Sequence, residues 1–346
     1  ALTESNKAEA ANYPFATIEP NIGRVAVPDK RLNILSDIEN SEKIIPTYMD
    51  FIDIAGLVKG ASKGEGLGNK FLAHIREVDA IAHVVRCFDN KNISHVSSTI
   101  NPINDIETIL TELKLADLET IQNKILSLQK KIKSGDKIIK IQMSILEKIQ
   151  ECLSSDKNIK NLEFKDDALI FFNSLNLITV KPMLFICNVD EDSVSKGNDY
   201  SKLVEEFASK QFDQILIVSA AIESQIAEFE NENEKLSLLH ELNLKESTIN
   251  KVINTGYNLL NLITFFTCGA KETRAWTITK NTQAPQAAGK IHSDFEKGFI
   301  RAETISYEDF IKYKGESMCR EKGKLRQEGK EYIVKEGDVM HFLFNV

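Results

Sequence analysis

The sequence has no long hydrophobic run. Its 346 residues contain no stretch close to the roughly 18 consecutive apolar residues that a membrane-spanning helix needs. Its first 20 residues include Glu4, Lys7 and Glu9 and no apolar core, so they do not resemble a secretory leader. We therefore expect a soluble cytoplasmic protein with no membrane partner.

Cysteine is scarce and scattered. The five cysteines are Cys87, Cys152, Cys187, Cys268 and Cys319, and the closest two along the chain are 35 residues apart. This spacing excludes a local CxxC metal knuckle and gives no disulfide framework. A reducing compartment fits best.

The chain also lacks an excess of basic charge. Its formal net charge of -8 argues against bulk attraction to nucleic acid, although the segment from Ile263 onwards has 14 Lys and Arg against 12 Asp and Glu. Residues 312–330 hold three acidic residues and seven basic ones, namely Lys312, Lys314, Arg320, Lys322, Lys324, Arg326 and Lys330. This is a local basic patch in an acidic chain, and an ordinary solvated surface is the better interpretation of any one of these residues.

Five apolar runs of strand length are separated by helical stretches. They are "GRVAVP" (23–28), "YMDFIDIAG" (48–56), "AIAHVVRCF" (80–88), "PMLFICNVD" (182–190) and "QILIVSA" (214–220). Runs that are apolar on both faces suit strands buried between layers of helices. The predicted fold class is α/β with a largely parallel sheet.

Residues 104–165 interrupt this pattern with a Lys- and Glu-rich stretch of helical periodicity. One set of apolar residues has 3,4 spacing up to "KSGD" (133–136) and a second set follows it: Leu118, Ile121, Ile125, Leu128 and Ile132, then Ile139, Met143, Leu146, Ile149 and Leu153. This predicts an antiparallel helical hairpin with one apolar seam, inserted into the sheet domain as an arm. A buried bundle is the alternative.

Short alternating runs fill residues 263–346. They are "RAWTIT" (274–279), "FIRAETIS" (299–306), "EYIVK" (331–335) and "DVMHFLF" (338–344). Together with a helix at 287–297 they predict a small mixed sheet around that helix.

Candidate chemistry lies at the ends of the predicted strands, where open α/β sheets bind ligands. Asp53 and Gly56 have the DxxG spacing of a Mg²⁺ carboxylate followed by a glycine that approaches a terminal phosphate, and the Thr17 hydroxyl could complete the metal site. A purine base could be contacted by Asn188, Val189 and Glu191 of "NVDE" and by the backbone of Ser219, Ala220 and Ala221. Taken singly, each is also an ordinary loop or strand-end turn.

Together these stretches resemble one family. The motifs are "YPFATIEPNIG", "DIAGLVKGASKGEGLGNKFLAHIRE", "NVDE", "SAAIESQIAE", "RAWTITKNTQAPQAAGKIHSDFEKGFIRAE" and "GDVMHFLFNV". They are similar to the YchF/Obg-like ATPase branch of the Obg GTPase superfamily from end to end. The resemblance implies a Ras-like P-loop NTPase core (1–103 and 166–262), an inserted helical coiled-coil hairpin (104–165) and a C-terminal β-grasp TGS domain (263–346).

The sequence departs from the family at its start. The family's Walker A loop, GxPNxGKST, would lie just before Ala1, and "GASKGEG" lacks its GK[ST] ending. Either this is a fragment or the chain has lost nucleotide binding. We expect a fragment, because a natural variant without its first strand would leave a hole in the sheet.

The base-reading motif also departs from that of a GTPase. Guanine-specific sites use NKxD, whose Asp accepts two protons from guanine, whereas Val189 and Glu191 stand at the Lys and Asp positions here. In this branch NxxE accompanies a preference for ATP over GTP. Asp190 is the alternative base reader.

The hydrolytic residue of small GTPases is missing too. Leu57 occupies the usual place of the Gln that orients water. His95 is our candidate replacement, with a surface histidine as the alternative. Mg²⁺ is the expected metal, a monovalent cation such as K⁺ is a candidate second ion, and intrinsic turnover should be slow.

The resemblance implies a monomeric molecular-switch ATPase. Nucleotide would order the loops at 12–23 and 56–70, and the arm and TGS domain would report this state to a ribosome, at its large subunit. The resemblance also implies RNA contacts through the basic residues of the TGS domain at 312–330. The rival hypothesis is a nucleotide-independent RNA or ribosome adaptor with a degenerate core.

Overall fold

The computed structural model describes residues 21–54, 67–90, 100–130, 137–155, 157–211, 213–229 and 231–345. The strands in these ranges are Asn21–Ala26 (β1), Ile44–Ile45 (β2), Tyr48–Asp53 (β3), Ile81–Arg86 (β4), Met183–Asn188 (β5), Gln214–Val218 (β6), Leu262–Thr267 (β7), Thr273–Thr279 (β8), Phe299–Ile305 (β9), Arg326–Glu328 (β10) and Val339–Phe344 (β11). The helices are Lys30–Glu39 (α1), Leu67–Glu77 (α2), Pro102–Gln129 (α3), Lys137–Leu153 (α4), Asp166–Ser174 (α5), Asp199–Gln211 (α6), Ala220–Glu228 (α7), Glu232–Glu241 (α8), Thr248–Leu259 (α9), Ala284–Ile291 (α10), Ser293–Lys297 (α11), Tyr307–Tyr313 (α12) and Glu316–Glu321 (α13). None of these helices is both long and apolar enough to cross a bilayer.

The residues fall into two compact units. One comprises residues 52–245, and the other combines residues 23–51 with residues 246–345. Each unit has its own sheet and core, described in turn below.

The first unit is built on a three-stranded parallel sheet with the order β4-β5-β6. The central strand β5 is buried from Met183 to Cys187, as a strand with neighbours on both sides and both faces should be. Helices α2, α3, α6 and α7 supply core side chains such as Leu72, Leu113, Val204 and Ile222. This confirms an α/β core with parallel strands.

The expected single sheet does not extend to the first two apolar runs. Within the described residues, β1 and β3 pair with each other in a separate two-stranded sheet, and β4 is an edge strand. Val84 on β4 is 62% exposed, so this strand is covered on one face only. Membership of one sheet is therefore wrong for β1 and β3, and burial on both faces is wrong for β1, β3 and β4. Strand pairing depends on distant neighbours that local hydrophobicity does not reveal.

The helical arm follows the predicted periodicity closely. Ile121 and Leu128 of α3 are buried against Met143, Leu146, Ile149 and Leu153 of α4, while Leu118, Ile125 and Ile139 pack at the edge of the same cluster. Asn101 caps α3, accepting the Asn104 N–H at 3.1 Å, and Pro102 occupies the first turn, where its missing N–H costs nothing. The predicted seam is confirmed; Ile132 and the turn at 133–136 lie outside the described residues.

A buried carboxylate fastens the root of the arm. Asp117 on α3 is fully buried and accepts the backbone N–H groups of Ile178 (3.1 Å) and Thr179 (2.8 Å) and the Thr179 hydroxyl (2.8 Å). Arg76, near the end of α2, donates to it at 3.2 Å. Asp117 thereby joins α2, the arm and the segment leading into β5.

Lys181 reinforces this joint. Its ammonium group donates to the backbone carbonyls of Arg76 and Val78, at the C-terminal end of α2. Burial lowers the Lys181 pKa, and the Asp79 and Asp117 carboxylates offset part of that shift.

The second unit contains the expected C-terminal β-grasp. Its mixed sheet has the order β10-β9-β11-β7-β8-β2, with β11 parallel to β7 and antiparallel to β9. Phe265 of β7 faces a core formed with α10, while Phe266, next along the strand, faces a core that includes Leu32 and Leu35 of α1. The alternation of the strand thus places apolar side chains on both faces of the sheet.

Two details of the predicted β-grasp are wrong. Residues 331–335 form no strand but a single antiparallel bridge, between Ile333 and Gln283, in which the Val334 N–H donates to Thr282 O (3.0 Å) and Tyr332 O accepts from Ala284 N (2.8 Å). The single helix predicted at 287–297 is two helices, since extended His292 ends α10 and caps α11 by accepting the Asp294 N–H at 3.2 Å.

We predict that Asp117→Ala destabilises the protein by about 3–5 kcal/mol, because it removes the carboxylate that balances the Arg76 charge and that accepts the Ile178 and Thr179 N–H groups. Urea unfolding monitored by circular dichroism measures the change. Asp199→Ala is the matched control, since the Asp199 carboxylate is 97% exposed in its pair with Lys202 and should alter stability by less than about 0.5 kcal/mol. Equal effects of the two substitutions would contradict the role given to Asp117.

Candidate nucleotide-binding site

The register of the parallel sheet aligns the carboxyl ends of its three strands. Arg86 of β4 lies opposite Asn188 of β5, and Asn188 lies opposite Val218 of β6. Backbone hydrogen bonds continue past the strand ends, from Cys87 N to Asn188 O (2.8 Å) and from Val189 N to Val218 O (2.9 Å). The predicted base-contacting segments therefore begin side by side at one edge.

Asn188 is held in place by α7. Its Oδ1 accepts the N–H of Ala220, the first residue of α7, at 3.0 Å. This bond directs the amide nitrogen away from α7, and within the described residues no hydrogen bond uses that nitrogen. An NH₂ group presented this way suits an acceptor such as purine N7, which adenine and guanine share.

Ser219 and the start of α7 form the neighbouring wall. Ser219 is fully buried at the N-cap position, yet its hydroxyl has no hydrogen-bond partner among the described residues. Ala220 and Ala221 are exposed in the first helical turn, where backbone N–H groups lack intrahelical acceptors. This edge thus offers backbone donors to a ligand.

The residues after Asn188 differ sharply in environment. Val189 is 3% exposed and packs in the core, whereas Asp190 and Glu191 are both exposed. Asp190 already accepts the Ser193 N–H at 2.9 Å in a turn, so its carboxylate has a structural use. The Glu191 carboxylate extends one methylene further than an Asp at the same position would.

Asn198 was not predicted from the sequence, although it braces this edge. Its amide nitrogen donates to Cys87 O (2.7 Å) and its Oδ1 accepts the Ser201 N–H (3.0 Å), tying the loop after β5 to the end of β4. Gly197 precedes it with φ +74°, and a Cβ there would lie 2.5 Å from Ser201 Oγ. The "KGND" stretch, with a glycine before a helix-capping Asn, was the available signal.

Asp53 is the last residue of β3 and is exposed. Within the described residues its carboxylate makes no hydrogen bond or ion pair, and those residues contain no cluster of three or more His, Cys, Asp or Glu that could hold a metal. One free carboxylate fits the chemistry of Mg²⁺, which is bound by one or two carboxylates together with water and phosphate oxygens. Thr17, Gly56, Leu57 and His95 lie outside the described residues, so their predicted roles stay predictions.

Known proteins of similar sequence and structure identify the family of this chain. Residues 1–142 match the family model described as 50S ribosome-binding GTPase, and residues 262–345 match the YchF-GTPase C-terminal model, described as a protein of unknown function. The whole chain is 55% identical to the ribosome-binding ATPase YchF of Haemophilus ducreyi and 50% identical to that of Bacillus subtilis, covering 94% of each. The YchF GTPase of Schizosaccharomyces pombe has a similar structure, with a TM-score of 0.85, 39% identity and coverage of 99% of this chain and 92% of that one. The chain belongs to the YchF family.

Family membership confirms the P-loop GTPase domain and the C-terminal YchF domain that the motifs implied. The domain boundaries drawn from the sequence stay predictions. The site residues also stay predictions, although Asn188, Val189, Glu191 and Ser219–Ala221 are brought together by the fold as described above.

Much of the charge in the predicted RNA-binding stretch is neutralised within the YchF domain. Arg320 pairs with Glu303 (3.1 Å) and Glu316 (2.9 Å), and Lys324 lies 3.6 Å from Asp309. The remaining basic residues of the stretch are Arg326, which pairs with Glu328 and Asp338, Lys312, whose ammonium lies 5.2 Å from the Tyr313 ring centroid, and the exposed Lys314, Lys322 and Lys330. Counting seven basic residues in the sequence at 312–330 therefore overstates the positive charge that this stretch can offer to RNA.

His83 is a packing residue. Its Nδ1 is buried without a hydrogen-bond partner among the described residues, and its ring lies 5.7 Å from that of Phe185. Burial lowers the His83 pKa to about 4, so the ring is neutral near pH 7. His83 therefore supplies no positive charge to this YchF site.

We predict that Asn188→Asp keeps the fold but weakens purine-nucleotide binding roughly tenfold or more, because a carboxylate still accepts the Ala220 N–H but has no N–H of its own to donate. Isothermal titration with Mg²⁺-ATP measures affinity, and thermal unfolding measures stability. Asn161→Asp is the matched control for the change of charge, since Asn161 is exposed in the same unit and its side chain forms no hydrogen bond with a described residue. Unchanged affinity in Asn188→Asp would remove this residue from the binding site.

Proposed function

We propose that this protein is a Mg²⁺-dependent molecular-switch ATPase that associates with the ribosome. The proposal is supported by full-length identity of about one half to relatives named ribosome-binding ATPase YchF. The observation that carries it is the Asn188 amide, oriented by the first N–H of α7 at the carboxyl edge of the parallel sheet.

Asn188 binds purines without distinguishing them, so selectivity rests on the residues that follow it. Guanine gains its advantage from a carboxylate that accepts its two adjacent N–H protons in a bidentate contact. Val189 is buried and cannot contribute a cation, and the longer Glu191 carboxylate does not reproduce the geometry of an Asp. ATP is therefore the preferred nucleotide and GTP the weaker one.

Asp53 and Thr17 would hold Mg²⁺ between them. When bound, the metal neutralises charge on the triphosphate and fixes its oxygens. Gly56 gives backbone access to the terminal phosphate. Leu57 cannot hydrogen-bond water, so intrinsic hydrolysis is slow and depends on another group, for which His95 and a monovalent cation such as K⁺ are the candidates.

The nucleotide state is passed to a ribosomal partner. The large subunit is our proposed site, and the exposed lysines of the YchF domain, Lys312, Lys314, Lys322 and Lys330, are proposed RNA contacts of a monomeric, cytoplasmic protein. Hydrolysis would release the loops that nucleotide orders and so end the association.

Equilibrium titration of the full-length protein with Mg²⁺-ATP and Mg²⁺-GTP tests the proposal. We expect Asp53→Ala to weaken Mg²⁺-dependent ATP binding roughly tenfold or more, because it removes a metal ligand. Asp50→Ala is the matched control on the same strand, since Asp50 makes only an exposed pair with Arg24. Binding of neither nucleotide by the wild type would leave the adaptor function instead.

Glu191→Asp tests the basis of selectivity in the same titration. Shortening the side chain restores the carboxylate position of a guanine-specific site, so we expect the ratio of GTP to ATP affinity to rise roughly tenfold. Asp192→Glu, an exposed change of the same size next to it, should leave the ratio unaltered. A constant ratio in Glu191→Asp would show that Glu191 does not read the base.

A further inference from the structure

The distal half of the helical arm is strongly basic. Residues 121–144 contain six lysines and one acidic residue, Asp136, in a chain whose net charge is -8. The proximal part of α3, residues 102–120, is the opposite, with five acidic residues and one lysine, Lys114. Charge is therefore separated along the arm, with the positive end away from the root held by Asp117.

Four of these lysines lie on described helices. Lys124 and Lys130 are on α3, Lys137 and Lys140 are on α4, and all four are exposed. None forms an ion pair with a described residue. In this they differ from Arg320, Lys324 and Arg326 of the YchF domain, whose charges are met by carboxylates.

Exposed apolar side chains stand among the lysines. Leu126, Ile138 and Ile141 are 56%, 64% and 57% exposed, although the seam between the same two helices is buried. On α4, Lys137 and Lys140 are three residues apart, as are Ile138 and Ile141, so a row of lysines runs beside a row of isoleucines. Such a surface combines charge with apolar contact.

We propose that the distal arm, defined by Lys124, Lys130, Lys137 and Lys140 with Leu126, Ile138 and Ile141, binds RNA. The lysines contact phosphates, and the apolar side chains pack on exposed bases or sugars of a single-stranded or loop region. RNA binding by the arm would explain how the protein associates with the ribosome. The inference rests on the proposed function only in taking the bound RNA to be ribosomal RNA.

RNA fits this surface better than a protein does. Lysine is depleted at protein–protein interfaces, whereas nucleic-acid interfaces are much more positively charged. The described part of the distal arm also carries no acidic side chain that would offset its lysines. Lysines that pair with no described carboxylate are therefore complementary to a continuous polyanion.

The test measures binding of a fluorescent single-stranded RNA oligonucleotide to the full-length protein at several salt concentrations. In the arm variant Lys124, Lys130, Lys137 and Lys140 are each changed to Glu. We expect its affinity to fall roughly tenfold or more, and the slope of log K against log salt to become shallower by about 3, since each lost phosphate contact contributes about 0.7. Leu126→Ser with Ile141→Ser should weaken binding without changing that slope.

Two matched variants carry the same change in net charge. One replaces exposed lysines elsewhere in the first unit with Glu, at Lys165, Lys202, Lys210 and Lys245, and should bind RNA within about twofold of the wild type. The other replaces Lys312, Lys314, Lys322 and Lys330 with Glu, and its loss of RNA affinity is compared with that of the arm variant. Equal losses in the arm variant and the first control would overturn the proposal.

Measurements of ATP affinity and of co-sedimentation with ribosomes distinguish a failure of this proposal from a failure of the proposed function. Mg²⁺-ATP affinity should be unchanged in the arm variant, because its lysines are remote in sequence from every candidate nucleotide contact. An arm variant that binds RNA like the wild type but no longer sediments with ribosomes would assign the arm to a protein partner, and the RNA proposal would be wrong.

Discussion

The parallel, in-register pairing of β4, β5 and β6 is the constraint on which the candidate site depends. It sets Arg86, Asn188 and Val218 side by side, so the chain leaves all three strands at one edge. A slip of one residue would turn every side chain of a strand to the opposite face and separate Asn188 from the start of α7. Burial of β5 from Met183 to Cys187 disfavours such a slip, because it would exchange neighbours throughout the core.

A second constraint connects this sheet to the arm. Asp117 is a fully buried carboxylate whose acceptor positions are filled by α2 and by the segment before β5. The helix that follows the DxxG loop, the root of the arm and the entry to the central strand therefore share one polar joint. A rigid root allows the arm to present its basic distal half at a defined distance from the sheet.

Local patterns in the sequence predicted the features that depend on local physics. The seam of the arm follows from 3,4 spacing, and β5 follows from a run that is apolar on both faces. Distant contacts explain what was missed. Residues 331–335 alternate like a strand, but they form only a single bridge, to Gln283 before α10. Arg320 and Lys324 are paired with Glu303 and Asp309, which lie outside the window in which the charges were counted.

The most direct test of the account is hydrogen exchange of the full-length protein with and without Mg²⁺-ATP. Nucleotide bound at the carboxyl edge should slow amide exchange around Asn188–Glu191 and in the first turn of α7, where backbone N–H groups face the ligand. ATP binding that leaves exchange in both segments unchanged would place the nucleotide elsewhere and contradict the central claim.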